Sequence, residues 1–236
     1  MLNYVSKSKE ELSLERVAIF GDSSADPNVE FNHSWVELLA QKFSVDNFAK
    51  QGSSLLYSYE KLLEQGKNYK KIIIFIAPVG RMYVPNCKLS QHFINQKTVE
   101  IHKGTADFYQ GKILDAIEQY FNYLWVFEKE CLVQQAIVDS IKVNFPNALL
   151  IPVTKDSIRN FTGLCMHDIS FLDYEYYEVH EYTPDLGRTC HMNKENNKIF
   201  ARIIENWIET ENFKIDIDMF KYPVESKKEL FYDKKY

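Results

Sequence analysis

Four short apolar runs along the chain predict buried β-strands. They span residues 17–21, 45–49, 70–78 and 148–153, and β-branched residues recur in the first and third. Continuous apolar runs of this length are typical of strands covered on both faces, as in a parallel sheet. A further strand is predicted within residues 174–179, in an aromatic and acidic stretch that otherwise favours loop.

Segments with helical spacing separate these strands and predict helices at residues 34–43, 55–65, 106–127, 131–145 and 193–208. Ser34 is the expected N-cap of the first helix, and Trp35 and Trp207 are expected to face the core. Strand and helix alternate throughout, which indicates an α/β fold with a parallel sheet covered by helices. The chain has no repeat or Pro/Gly-rich linker, so a single domain is expected.

One candidate site residue follows each of three predicted strands. Ser23 comes after the first, Gly52 after the second and Arg81 after the third. Parallel sheets place ligand sites beyond the carboxyl ends of their strands, so we expect these residues to lie along one edge.

A serine can act as a nucleophile when a histidine accepts its proton. His191, just before the last helix, is the best placed of six histidines to reach the same edge. The backbone N–H groups of Ser23 and Gly52 would suit the oxyanion of an acyl-transfer reaction. The alternatives are that Ser23 lies in an ordinary helix-capping turn and that His191 only begins a helix. Asp22 is expected to hold the turn by hydrogen bonds to nearby N–H groups.

Three blocks of sequence resemble the SGNH (GDSL-type) hydrolases. "FGDSSADP" resembles the first block, in which the serine of G-D-S is the nucleophile. "WVELLAQKFSVDNFAKQGSS" resembles the helix that follows and the N-x-A-x-x-G-x-S motif, whose glycine supplies an oxyanion N–H. "CHMNKENNKIFARII" resembles the last block, a histidine followed at once by the terminal helix.

The resemblance implies a flavodoxin-like three-layer α/β/α sandwich and a serine esterase or acyl-transfer mechanism without metal or cofactor. Ser23 would be the nucleophile, Gly52 an oxyanion donor and His191 the base. The domain would span residues 16–208, with a helical insertion at about 86–127. Residues 1–15 would form an N-terminal extension and residues 209–236 a C-terminal tail.

Two positions depart from the family pattern. The G-x-N-D block is replaced by "IAPVGRMYVPN", which lacks the asparagine that would donate to the oxyanion. Arg81 could replace that donor, bind an anionic group of the substrate, or form a surface salt bridge. The aspartate expected three residues before the histidine is Arg188 here, so either Asp185 or a backbone carbonyl would orient His191.

The leading hypothesis is a hydrolase of carboxylic esters, with an O-acyl group on a carbohydrate as a candidate substrate. A catalytically degenerate binding or structural module and a carbohydrate O-acyltransferase are the alternatives. The net charge of −5 gives no electrostatic case for nucleic-acid binding.

No apolar run approaches the roughly 20 residues that span a membrane, and the N-terminus lacks a signal-peptide core, so a cytoplasmic protein is expected. The four cysteines form no CxxC pair and the histidines show no ligand spacing, so no metal site is expected.

Overall fold

Four parallel strands form the sheet in the described part of this computed structural model, which comprises residues 16–27, 34–82, 108–161, 163–170, 192 and 194–220. The strands are β1 (Arg16–Phe20), β2 (Ser44–Asn47), β3 (Lys71–Ile76) and β4 (Leu149–Pro152), in the spatial order β2-β1-β3-β4. Each strand begins and ends within two residues of its predicted bounds. Their order is the flavodoxin-like one. β2 is added on one side of β1, whereas β3 and β4 are added on the other side, so the switch point of the topology lies between β1 and β3.

Six helices accompany these strands in the described residues: α1 (Trp35–Ala40), α2 (Leu55–Gln65), α3 (Phe108–Tyr123), α4 (Phe127–Asn144), α5 (Met166–Ser170) and α6 (Lys194–Thr210). The bounds of α2 match the prediction, and Ser34 Oγ caps α1 by accepting from Val36 N at 3.1 Å. The predicted start of α4 was wrong by four residues. Its first turn carries Glu128 and Glu130, which favour a helix N-terminus electrostatically but add nothing to an apolar pattern.

Helices cover both faces of the sheet and so make three layers. On one face, α1 and α6 pack on the sheet, and the rings of Trp35, Phe75 of β3 and Phe200 of α6 form a three-membered cluster, with centroid distances of 5.5 Å from Trp35 to Phe75, 5.2 Å from Trp35 to Phe200 and 6.2 Å from Phe75 to Phe200. On the other face, α2 and α4 pack through Leu62 and Ile141. This arrangement confirms the predicted α/β/α sandwich.

The chain beyond the predicted domain end still contributes to the core. Helix α6 continues to Thr210, and Phe220 is only 3% exposed within the cluster formed by α1, α6 and the sheet. The predicted N-terminal extension and the predicted strand at 174–179 lie outside the described residues. In the described ranges, every helix is too short or too polar to cross a bilayer.

Candidate active site

The loops that follow β1, β2 and β3 lie against one another at the carboxyl edge of the sheet. Ser53 Oγ, after β2, donates to Gly21 O, after β1, at 2.7 Å. Arg81, after β3, donates from Nη1 to Asp22 Oδ2 and, at 3.2 Å, to Ser53 O. The structure thus brings together the three segments that were expected to share this edge.

Ser23 lies in a tight turn directly after β1. Ala25 N donates to Asp22 O at 3.1 Å and closes the turn, while Ser24 N donates to Asp22 Oδ1 at 3.0 Å. Asp22 is fully buried, whereas Ser23 is partly exposed. The predicted hydrogen-bonding role of Asp22 is confirmed, and Ser23 is held on a turn that leaves it accessible.

Gly21 allows the turn to lie close to the neighbouring strand. Its φ is +151°, and a Cβ at this position would lie 2.6 Å from Phe75 Cβ in β3. Both atoms are fixed to their backbones, so neither could move aside without shifting a strand. A glycine at this position is therefore needed for the sharp departure of the chain from β1.

Gly52 occupies a second tight turn beside the first. Its φ is +74°, in the left-handed region that favours glycine. Gln51 N donates to Asp26 Oδ2 at 2.9 Å, and Lys50 N donates to Gly21 O at 3.0 Å. These bonds hold the second turn against the first; the use of the Gly52 N–H as an oxyanion donor stays a prediction.

Arg81 forms an ion pair with the buried carboxylate of Asp22. The Asp22 side chain is 0% exposed and that of Arg81 is 12% exposed, so Arg81 does form a salt bridge, but a buried one and not one at the surface. Sequence reasoning did not identify Asp22 as its partner. The signal for this pair was two opposite charges placed just beyond the ends of strands that become neighbours in the sheet.

His191 and Asp185 lie outside the described residues, so their predicted roles as base and orienting acid stay predictions. Met192, the residue after His191, is described and is only 2% exposed. It belongs to the core cluster formed by α1, α6 and the sheet.

A chain of hydrogen bonds connects the peptide beside His191 to the turn that holds Ser23. Asn197 Nδ2 donates to Met192 O at 2.9 Å, and Asn197 Oδ1 accepts from Trp35 N at 2.8 Å. The indole Nε1 of Trp35 then donates to Ser24 O at 2.9 Å. Two side chains thus link the backbone next to the predicted nucleophile with the backbone next to the predicted base.

Sequence reasoning treated Trp35 only as a core residue and did not single out Asn197. The available signal was an asparagine one turn before Phe200 and Ala201, on the apolar face of the last helix. A buried amide on such a face needs hydrogen-bond partners, and here they come from two other segments.

In the part of the chain that the structure describes, no three His, Cys, Asp or Glu side chains gather in a way that could hold a metal ion. Comparison of the sequence with models of known protein families and with curated proteins finds no match. The function is therefore inferred from the residues and their geometry.

Proposed function

We propose that this protein is a serine hydrolase of the SGNH type that cleaves carboxylic esters, with Ser23 as nucleophile and His191 as base. The observation that carries the proposal is the hydrogen-bond chain from Ser24 O through Trp35 and Asn197 to Met192 O. It ties together the two segments on which a Ser-His mechanism would depend.

In the proposed reaction, the Ser23 hydroxyl attacks the ester carbonyl carbon while the imidazole of His191 accepts its proton. The carbonyl oxygen becomes an oxyanion, which the N–H groups of Ser23 and Gly52 stabilise. The bond to the alcohol oxygen then breaks, and the imidazolium returns the proton to the departing alkoxide. Water, activated by the same imidazole, hydrolyses the acyl-serine and regenerates the hydroxyl.

The contacts of Arg81 favour a positioning role over that of an oxyanion donor. Its Nη1 bonds both Asp22, which shapes the Ser23 turn, and Ser53 O, which follows Gly52. Arg81 therefore holds the two proposed oxyanion donors at a defined separation. Asp185, or a backbone carbonyl in its place, would orient His191.

Hydrolysis of p-nitrophenyl acetate by Ser23→Ala tests the proposal. We expect kcat/KM to fall by about 10⁴-fold or more, because the residues of such a site act as a unit. Ser24→Ala is the matched control, since the same turn keeps its backbone contacts, and it should retain most of the activity. A fluorophosphonate should label Ser23 in the wild-type protein and in Ser24→Ala, with mass spectrometry identifying the site.

Equal rates in the wild type and Ser23→Ala, with no labelling of Ser23, would contradict the proposal and favour the non-catalytic binding module. A sugar added as acyl acceptor separates hydrolysis from acyl transfer. A transferase would form an acylated sugar at the expense of the free acid.

A further inference from the structure

A cavity of about 210 Å³ opens beyond the carboxyl end of β3, next to the proposed site. Arg81 lies in the wall of the cavity and also binds Asp22, so this one residue contacts both the cavity and the Ser23 turn. The rest of the wall comes from the start of α2, the loop after β3, and helices α3 and α4. Its apolar side chains include Leu55, Met82, Phe121, Trp125, Val133 and Ile137.

The polar groups in the wall favour an uncharged ligand. Glu130 accepts a hydrogen bond from Tyr120 Oη at 2.8 Å. Burial, and to a smaller extent this hydrogen bond, raise the pKa of Tyr120 and keep its hydroxyl protonated. The carboxylate of Glu130 disfavours an anionic ligand, and the guanidinium of Arg81 already faces Asp22. Gln134 Nε2 donates to two backbone carbonyls.

The indole N–H of Trp125 indicates that the ligand carries a hydrogen-bond acceptor. Within the described residues, Trp125 Nε1 is buried and has no hydrogen-bond partner. The indole lies against the loop after β3, where a Cβ on Gly80 would be 3.5 Å from Trp125 Cζ2. A buried donor without an acceptor is unfavourable, so a small rotation of the indole toward the cavity would be stabilised by a ligand that presents an oxygen acceptor there.

The position of the cavity in the sandwich indicates which half of an ester it would receive. The helix that follows His191, α6, packs on one face of the sheet, while α2 and α4 pack on the opposite face. The departing alcohol must lie near His191 to receive its proton. The acyl half of the ester is then left on the side of α2 and α4, where the cavity lies.

We propose that this cavity binds the acyl group of the substrate, an inference that rests on the proposed ester hydrolysis. The acyl group would be uncharged, mainly apolar and larger than acetyl, with an oxygen acceptor for Trp125. A cavity of about 150 Å³ accommodates a benzene ring, so this one has room for a chain of about six carbon atoms.

The acyl-chain preference of the wild type and two tryptophan variants tests this assignment. Val133→Trp adds a bulky ring at a residue that lines the cavity and is 49% exposed, whereas Leu132→Trp adds the same ring at a neighbouring residue that is 55% exposed and does not line it. With p-nitrophenyl hexanoate and acetate, the hexanoate-to-acetate ratio of kcat/KM should fall at least tenfold in Val133→Trp and stay at the wild-type value in Leu132→Trp. Equal ratios in the two variants would overturn the assignment.

Binding of hexanamide, measured by calorimetry, tests the cavity without catalysis. The amide should bind the wild type and Leu132→Trp saturably, and Val133→Trp should abolish binding. Trp125→Phe keeps an aromatic ring but removes the donor, so it should leave binding of hexanamide nearly unchanged and weaken binding of 5-oxohexanamide, whose ketone oxygen lies on the acyl chain, about three- to tenfold. Unchanged affinity in Val133→Trp would show that the cavity is not the binding site.

The two experiments separate the two proposals. If Val133→Trp abolishes binding of hexanamide but no ester is hydrolysed in a Ser23-dependent way, the cavity is a ligand site and the proposed hydrolase activity is contradicted. If hydrolysis depends on Ser23 but the acyl-chain preference does not change with residue 133, the hydrolase activity is supported and the assignment of the cavity as the acyl pocket is contradicted.

Discussion

Asp22 connects two segments through its two carboxylate oxygens. One oxygen accepts from Ser24 N within the turn, and the other accepts from Arg81 after β3. A buried ion pair is rarely a large net source of stability, but removal of one partner leaves an uncompensated buried charge. The pair therefore acts mainly by specifying where the Ser23 turn lies relative to β3.

A double-mutant cycle on Asp22 and Arg81 measures this coupling. We expect Asp22→Asn and Arg81→Met each to lower the free energy of unfolding by about 3 kcal/mol, because each leaves one buried charge alone. The double variant should recover at least about 1 kcal/mol of the summed loss. Urea denaturation provides the measurement.

The exposed ion pair between Lys61 and Glu64 of α2 is the matched control for that cycle, because both pairs join a cation and a carboxylate. Its coupling should be about 0.5 kcal/mol or less. A coupling no larger for Asp22 and Arg81 would mean that burial adds nothing to their interaction.

At the scale of the elements, α1 and α6 are joined at their N-terminal ends by polar as well as apolar contacts. The ring of Trp35 packs on Phe200, while its two N–H groups bond Asn197 and the Ser23 turn. A shift of either helix would break these bonds. The pair of helices therefore fixes the distance between the turn and the peptide that follows His191.

Asn197→Ala should reveal this connection. It leaves the buried Trp35 N and Met192 O without their partner and should lower the free energy of unfolding by about 2 kcal/mol. With p-nitrophenyl acetate, kcat should fall more than KM rises, since the change displaces the base rather than the acyl pocket. Asn206→Ala, at an exposed position of the same helix, should change neither quantity appreciably.

A fall in stability with an unchanged kcat in Asn197→Ala would show that Asn197 supports the fold alone.

At the scale of the whole molecule, the two faces of the sheet support different parts of the proposed active site. The face covered by α1 and α6 holds Met192, the residue after the proposed base, and the face covered by α2 and α4 borders the proposed acyl pocket. The first face is also extended by the chain after α6. Phe213 and Ile215 pack against its core cluster, and Phe220 joins it.

Phe220→Ala should therefore destabilise the protein although it lies beyond the last helix. The side chain is 3% exposed, and loss of a buried phenylalanine costs about 3 kcal/mol. Met219→Ala, at a neighbouring position that is 53% exposed, should change the free energy of unfolding by about 0.5 kcal/mol or less. Thermal or urea denaturation compares the two, and equal effects would contradict the inclusion of Phe220 in the core.

The sequence by itself determined the strands, most of the helices and the parallel α/β class, because hydrophobic periodicity is a local property of the chain. It also placed Ser23, Gly52 and Arg81 at the ends of strands that share an edge. The hydrophobic pattern did not predict the start of α4, because the first turn of this helix is charged rather than apolar.

Only the tertiary structure decided which of these residues touch. Asp22 pairs with Arg81 across 59 residues, and Trp35 meets Asn197 across 162 residues. Trp125 reaches the loop after β3 only because α3 and α4 pack beside it. Such contacts depend on how the layers pack, and local patterns of apolar and polar positions do not encode the partner of a buried polar group.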